Sequence, residues 1–320
     1  MKLCILGAGA IGSHLAARYA RAGAAEVSVL ARGPQLAAIR AQGITVEAPE
    51  ERFTARLRAE EDPAALGPQD AVLVTVKAPA VPGAARALAP LLGPETPVVF
   101  VLNGIPWWWG GAGAALDPGG VAAAAVPRAR VLGGVVWSAC TVTEPGVVRV
   151  QTAQSRLVFG EPDGGLSPRV ERLAAALTPG GMLGEATGDI RTAVWTKLIN
   201  NLTNGPICLL TRRDMRATFQ DPVLLEAARA VMREGLALAA ALGHAVGGDP
   251  ERSILRSVTI PHKPSILQDL EAGRALEFAA LFEAPLALAR QAGVATPTLD
   301  LLVSLARQAT GQGADRGAGP

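Results

Sequence analysis

Residues 7–12 read Gly7-Ala8-Gly9-Ala10-Ile11-Gly12, and this G-x-G-x-x-G constrains the chain more than any other feature of its 320 residues. Residues 2–6 (KLCIL) before it read as a strand, and residues 11–22 after it carry helical spacing. Glycines at these spacings serve a strand-to-helix turn that receives a pyrophosphate. Gly7 allows the tight turn, Gly9 lets the phosphates approach the backbone, and Gly12 lets helix and strand pack closely. Ala8, Ala10 and Ile11 complete the cradle at the helix N-terminus, where free N–H groups favour negative charge.

The rest of the first half supports a parallel sheet. Short β-branched runs at 27–30, 71–76, 97–102, 131–136, 142–150 and 156–159 alternate with Ala/Leu/Arg stretches, and Glu144-Pro145-Gly146 reads as a turn. From residue 189 the pattern is helical, with helices over 189–204, 222–242 and 278–292; Asp221-Pro222 gives one of them a cap and a first-turn proline. The predicted fold class is α/β, an N-terminal Rossmann-type doubly wound sheet followed by an all-helical C-terminal domain. The expected domains are 1–188 for the dinucleotide and 189–307 for substrate and catalysis, with 308–320 a disordered Gly-rich tail.

Bulk properties exclude several classes. Thirty basic against 28 acidic side chains give +2, too balanced to argue for nucleic acid or an anionic membrane. No apolar run approaches the roughly 20 residues that span a bilayer. The three cysteines (Cys4, Cys140, Cys208) and three histidines lack the spacing of a disulfide framework or a metal site. A soluble cytoplasmic protein without a metal is expected.

The cofactor choice turns on the end of the second strand. Enzymes using NAD usually place an acid about 20 residues after the glycines. Here Leu30-Ala31-Arg32-Gly33 has no acid, and the Arg32 guanidinium suits a 2′-phosphate. NADPH/NADP+ is the expected cofactor, the alternative being a solvated surface arginine. Lys77 and Asn103 end two further strands, on the side where open α/β sheets bind ligands. A turn-forming Asn103-Gly104 is the structural alternative.

In the second half, Lys197, Asn201 and Asn204 fall four and three residues apart, on one face of an otherwise apolar helix. Burial lowers a lysine's pKa and suits it to proton donation; a polar helix face between domains explains the pattern equally well. Ser265 and Asp269 stand four apart, and Glu277 follows a short polar turn, able to accept a hydrogen bond from Lys197 or from substrate. Asp269, Glu271 and Arg274 also suit a solvated helix end.

GAGAIG, LAR after the second strand, TVKA, LNG, W-T-K-x-x-x-N, S-I-L-Q-D-x-E-x-G-R with its following glutamate, and a late G-V-A-T-P occur in this order between residue 2 and about residue 307. Together they resemble the ketopantoate reductase family. The resemblance implies NADPH-dependent reduction of 2-dehydropantoate, or a similar small 2-keto acid, to its hydroxy acid in a cleft between the domains. It implies Lys197 as general acid supported by Glu277, and Asn103, Asn201 and Ser265 holding the substrate's carboxylate or hydroxyls. Asn204 joins them by its helix position, with Asp269 behind. Homodimers are common among such relatives.

Three departures bear on the substrate. Position 205 is Gly where the family often has a second asparagine. The stretch after the glutamate is Phe278-Ala279-Ala280-Leu281-Phe282-Glu283, where many members continue E-I-D. The Asn-Gly pair runs into Trp107-Trp108-Trp109. A tryptophan cluster there either lines the cleft, hinting at a bulkier or aromatic keto acid, or packs against the other domain or a subunit. A non-catalytic NADP sensor is the reading from another class, which the presence of Lys197 and Glu277 opposes.

Overall fold

The computed structural model describes residues 1–152, 154–180 and 183–312. It divides into two compact units. The first comprises Met1–Leu102, Pro106–Trp109 and Asp117–Arg191, and the second Asn103–Ile105, Gly110–Leu116 and the chain from Thr192. The Asn-Gly loop thus groups with the helical unit, which no contiguous division of the chain provides.

The first unit opens with β1 (Lys2–Leu6), α1 (Ala10–Ala22), β2 (Glu26–Leu30), α2 (Gly33–Gln42), β3 (Ile44–Ala48), β4 (Glu51–Ala55) and β5 (Arg58–Glu60). It continues with β6 (Ala71–Val74), α3 (Val81–Ala85), β7 (Val98–Val101), α4 (Val121–Ala125), β8 (Val131–Trp137), β9 (Cys140–Glu144) and β10 (Val147–Val150). It closes with β11 (Arg156–Gly160), α5 (Pro168–Leu177) and β12 (Leu183–Ala186). Eight strands form the main sheet in the order β12-β11-β8-β7-β6-β1-β2-β5. All its pairings are parallel except β8 with β11. The central strands are apolar throughout and wholly buried, as a sheet covered on both faces requires. A second sheet, β4-β3-β10-β9, packs against α1.

Several elements went unread in the sequence. Strands β3 to β5 alternate buried with partly exposed positions and are rich in Arg, Glu and Thr, so no apolar run marks them. The expected strand over 71–76 ends at Val74, where the backbone turns towards Lys77.

The second unit holds most of α6 (Ile190–Thr211), then α7 (Met215–Phe219), α8 (Pro222–Ala241), α9 (Pro250–Thr259), α10 (Ser265–Glu271), α11 (Ala284–Ala292) and α12 (Pro297–Ala309). Its described residues contain no strand. Helix α6 does not stop at Asn204: it runs through Gly205-Pro206. A proline inside a helix removes one hydrogen bond and costs about 3 kcal/mol. Burial of Ile207, Cys208 and Leu209 beyond it outweighs that cost. The helix expected over 278–292 begins with a π-helical turn, Ala279–Glu283, before α11. Helix α12 reaches Ala309, so residues 308 and 309 are helical and not part of a disordered tail; residues 313–320 lie outside those described. No helix of the described residues is long and apolar enough to cross a membrane.

The tryptophan cluster does not stand proud as a cap. Trp107, Trp108 and Trp109 are all buried. The Trp107 ring meets Phe100 edge-on at 5.1 Å, and the Arg191 guanidinium lies 4.4 Å from the Trp109 ring centre. Trp108 fills the space left by the missing side chain of Gly133 on β8: a Cβ there would overlap the indole and come within 2.8 Å of Ile190. The cluster packs in the core of the first unit.

Gly133→Ala should therefore destabilise the protein by roughly 1–3 kcal/mol in chemical denaturation, the scale of core overpacking. Trp108→Phe should be partly compensating in the double variant, whose loss should be smaller than the sum of the singles. An unchanged midpoint for Gly133→Ala would show that the indole is free to move.

Candidate active site

The main sheet reverses direction between β1 and β6: the chain proceeds outward from β1 through β2 to β5, then returns to β6 on the other side. In open α/β sheets this switch point is where ligands bind, beyond the carboxyl ends of the strands. Both the glycine loop after β1 and Thr75-Val76-Lys77 after β6 lie there.

The loop's geometry is set by contacts a side chain would destroy. Gly7 has φ +111°, and a Cβ on it would sit 2.8 Å from Val76 Cγ1. At Gly12 a Cβ would collide with the carbonyl oxygen of Gly7. Gly9 is different, since a Cβ there meets nothing within 4 Å. Gly9 also caps α1 without any side-chain hydrogen bond, so the first-turn amides of Ala10, Ile11 and Gly12 have no partner within the helix. The result is an open, donor-rich helix N-terminus suited to an anion.

Three residues that the motif alone did not reveal hold this loop. The Thr75 hydroxyl donates to the Gly7 carbonyl at 2.7 Å, and the Ser13 hydroxyl to that of Ala8 at 3.0 Å. Gln35 Nε2 donates to Ala8 O at 3.0 Å, while Gln35 Oε1 accepts from Gly146 N at 3.0 Å. Thr75 sits inside the recognisable TVKA run; Gln35, on α2, carries no local signal. Arg32 precedes α2 and is exposed, with no ion-pair partner among the described residues. Lys77 is half-buried just past β6. His14, one turn into α1, is buried against Arg18, and burial pushes its pKa down to about 4, so it is neutral at pH 7.

In the second unit, Asn103 joins residues far apart in sequence. Its Oδ1 accepts from Lys197 Nζ at 2.5 Å, and its Nδ2 donates to Glu277 Oε2 at 3.2 Å. Glu277 is 5% exposed, so its carboxyl oxygens need such partners. Lys197 is carried by α6, whose neighbouring residues Trp195, Leu198 and Leu202 are buried. Along the same helix Lys197, Asn201 and Asn204 form a partly exposed polar stripe. Asn204 Oδ1 is buried without a hydrogen-bond partner among the described residues, an acceptor awaiting a donor.

The remaining candidates stand differently. Asp269 is buried on α10, and its carboxylate accepts from Arg274 Nε at 2.9 Å, which commits it to holding the turn that leads to Glu277. Ser265, the first residue of α10, is exposed and has no hydrogen-bond partner among the described residues. At position 205 the missing side chain is replaced by Phe282: a Cβ on Gly205 would lie 2.8 Å from the phenyl ring.

Comparison with known proteins gives consistent relatives. The family model described as ketopantoate reductase PanE/ApbA matches residues 3–164, and its C-terminal companion matches residues 189–310. A 2-dehydropantoate 2-reductase of Mesorhizobium japonicum is 38% identical over 96% of this chain and 97% of its own length. The crystal structure of 2-dehydropantoate 2-reductase from Methylococcus capsulatus superposes with a TM-score of 0.82 at 30% identity, covering 100% of both chains. A D-mandelate dehydrogenase solved with NADH and anilino(oxo)acetate shares the fold, with a TM-score of 0.82 at 20% identity over 98% of this chain and 99% of its own.

Proposed function

We propose that this chain, which belongs to the ketopantoate reductase family, reduces 2-dehydropantoate to pantoate with NADPH in the cytoplasm. As a member of that family it is an oxidoreductase acting on a CH–OH group. The observation that carries the reading is the Lys197–Asn103–Glu277 chain of hydrogen bonds. It holds an ammonium by one geometry, which is what a proton donor to a keto oxygen needs. A sensor that only bound the dinucleotide would have no use for it.

The glycine loop fits a nicotinamide dinucleotide. Its open face at Gly9 and the unpaired amides of the first turn of α1 would hold the pyrophosphate. Arg32, with no acid at the end of β2 to compete, would pair with a 2′-phosphate, and Lys77 and Asn103 would lie beside the dinucleotide. When bound, this group supplies the hydride that goes to the substrate's C2 carbonyl carbon. Lys197 delivers the proton to the carbonyl oxygen as the C–O double bond opens. Asn103 keeps the ammonium oriented, and Glu277 keeps Asn103 oriented. Asn201, Asn204 and Ser265 hold the substrate's carboxylate and hydroxyl, with the unpaired Asn204 oxygen suited to a hydroxyl donor. In this assignment residues 1–188 bind the cofactor, and 189–307 carry substrate and catalysis.

Substrate identity is tested by following NADPH oxidation with 2-dehydropantoate, pyruvate and phenylglyoxylate. A clear preference for 2-dehydropantoate is expected; a preference for phenylglyoxylate would transfer the mechanism to another keto acid. Lys197→Ala should lower kcat by roughly 10²–10⁴-fold, the usual contribution of general acid catalysis, with NADPH affinity nearly unchanged; retained turnover would remove Lys197 from the mechanism. Arg32→Ala should weaken NADPH binding by about 1.5–3 kcal/mol, the value of a charge-assisted hydrogen bond. NADH binding should barely change, and equal losses for both would show that Arg32 does not read the 2′-phosphate.

A further inference from the structure

Asn103 is held in place by the backbone beside it, and the manner of holding is unusual. The next residue, Gly104, has φ +78°, and a Cβ on it would collide with the carbonyl of Ala280. Ile105 N then donates to that same Ala280 oxygen at 2.9 Å. The loop is therefore fastened to one carbonyl of the helical segment that follows Glu277.

That carbonyl is free for a reason written in the sequence. In a continuous α-helix the Ala280 oxygen would accept from the N–H of Ala284. Here Ala279–Glu283 is a π-helical turn, and the Ala284 N–H goes to Ala279 instead. In the π register the next donor to Ala280 would be residue 285, which is Pro285 and has no N–H. The helix thus offers Ala280 no donor, and an unpaired buried carbonyl is costly. Ile105 supplies the missing hydrogen bond.

We propose that Pro285, the π turn and Gly104 form a dock that positions Asn103 between Lys197 and Glu277, making Gly104 and Pro285 positioning residues for the reduction. The proposal rests on the reading of Lys197 as proton donor. Because Glu277 begins the segment whose third following residue is Ala280, one rigid turn sets both the carboxylate and the carbonyl to which the loop is tied. Both hydrogen bonds of Asn103 are registered by this arrangement.

The dock predicts behaviour that a merely structural proline would not give. Pro285→Ala restores an N–H and a better helix former, so its Tm should be unchanged or higher. The new N–H competes for the Ala280 carbonyl, the loop loosens, and kcat with 2-dehydropantoate should fall about ten-fold or more, as misplacement near the chemistry does. The NADPH dissociation constant should stay within about two-fold, since the glycine loop is untouched. The alkaline limb of the kcat–pH profile should move to lower pH, because the Lys197 ammonium loses its Asn103 acceptor. Gly104→Ala should show the same changes in kcat and pH profile. The double variant should be no worse than the poorer single, since both act through one contact.

Wild type, Lys197→Ala, Pro285→Ala, Gly104→Ala and the double variant are compared in one series, each with Tm, NADPH binding and a kcat–pH profile. A large loss in Lys197→Ala together with a stable but slow Pro285→Ala of shifted profile is the expected result. A large loss in Lys197→Ala with an unchanged kcat and profile in Pro285→Ala overturns the dock alone. An active Lys197→Ala overturns the functional reading and the dock with it. Should Gly104→Ala fail to fold, Pro285→Ala decides.

Discussion

The site depends on a single carboxamide. Asn103 has one oxygen that accepts from an ammonium and one nitrogen that donates to a carboxylate. Among uncharged side chains, only the carboxamides of asparagine and glutamine offer a carbonyl acceptor and an N–H donor on one rigid plane. Through Asn103 the Lys197 nitrogen and the Glu277 carboxyl group are joined by one side chain. The neutral amide gives the lysine nitrogen a fixed acceptor. The buried Glu277 carboxylate would cost several kcal/mol without partners, so the amide also makes that burial tolerable.

This polar trio is possible because the apolar framework holds its members by backbone, not by side-chain chance. Helix α6 carries Lys197 beside the buried Trp195 and persists through Pro206 on the strength of the apolar residues beyond it. The Arg274–Asp269 ion pair stiffens the turn before Glu277. In the first unit the same economy appears in the glycine loop, where steric absence at Gly7 and Gly12 and the hydroxyl of Thr75 fix a donor-rich helix end. In each case a small residue or a missing N–H sets a geometry that larger residues then lock.

Local chemistry made much of this legible from sequence. The glycine loop, the buried runs of the central strands and the Asp221-Pro222 helix start each rest on neighbours a few residues apart, and each lies where it was expected. The polar stripe of Lys197, Asn201 and Asn204 followed from helical spacing. What escaped needed partners distant in sequence. Strands β3 to β5 pair across turns without an apolar run, and Gln35 reaches the glycine loop from another helix. Gly205-Pro206 carries a stop signal that packing overrides. Trp108 is explained only by Gly133 on β8, well downstream of it in the chain. The motif also concealed why Asn103 is followed by glycine: the reason lies in a π turn and a proline near residue 280.

The most direct test of this account is kcat of Asn103→Ala with saturating NADPH and 2-dehydropantoate. The variant removes both hydrogen bonds at once while leaving Lys197 and Glu277 in the chain. Charge-assisted hydrogen bonds are worth about 1.5–3 kcal/mol, so the account predicts a fall of roughly ten- to a hundred-fold or more with the fold intact. A folded Asn103→Ala enzyme that turns over at the wild-type rate would contradict it, and the proton donor would then have to be positioned by other means.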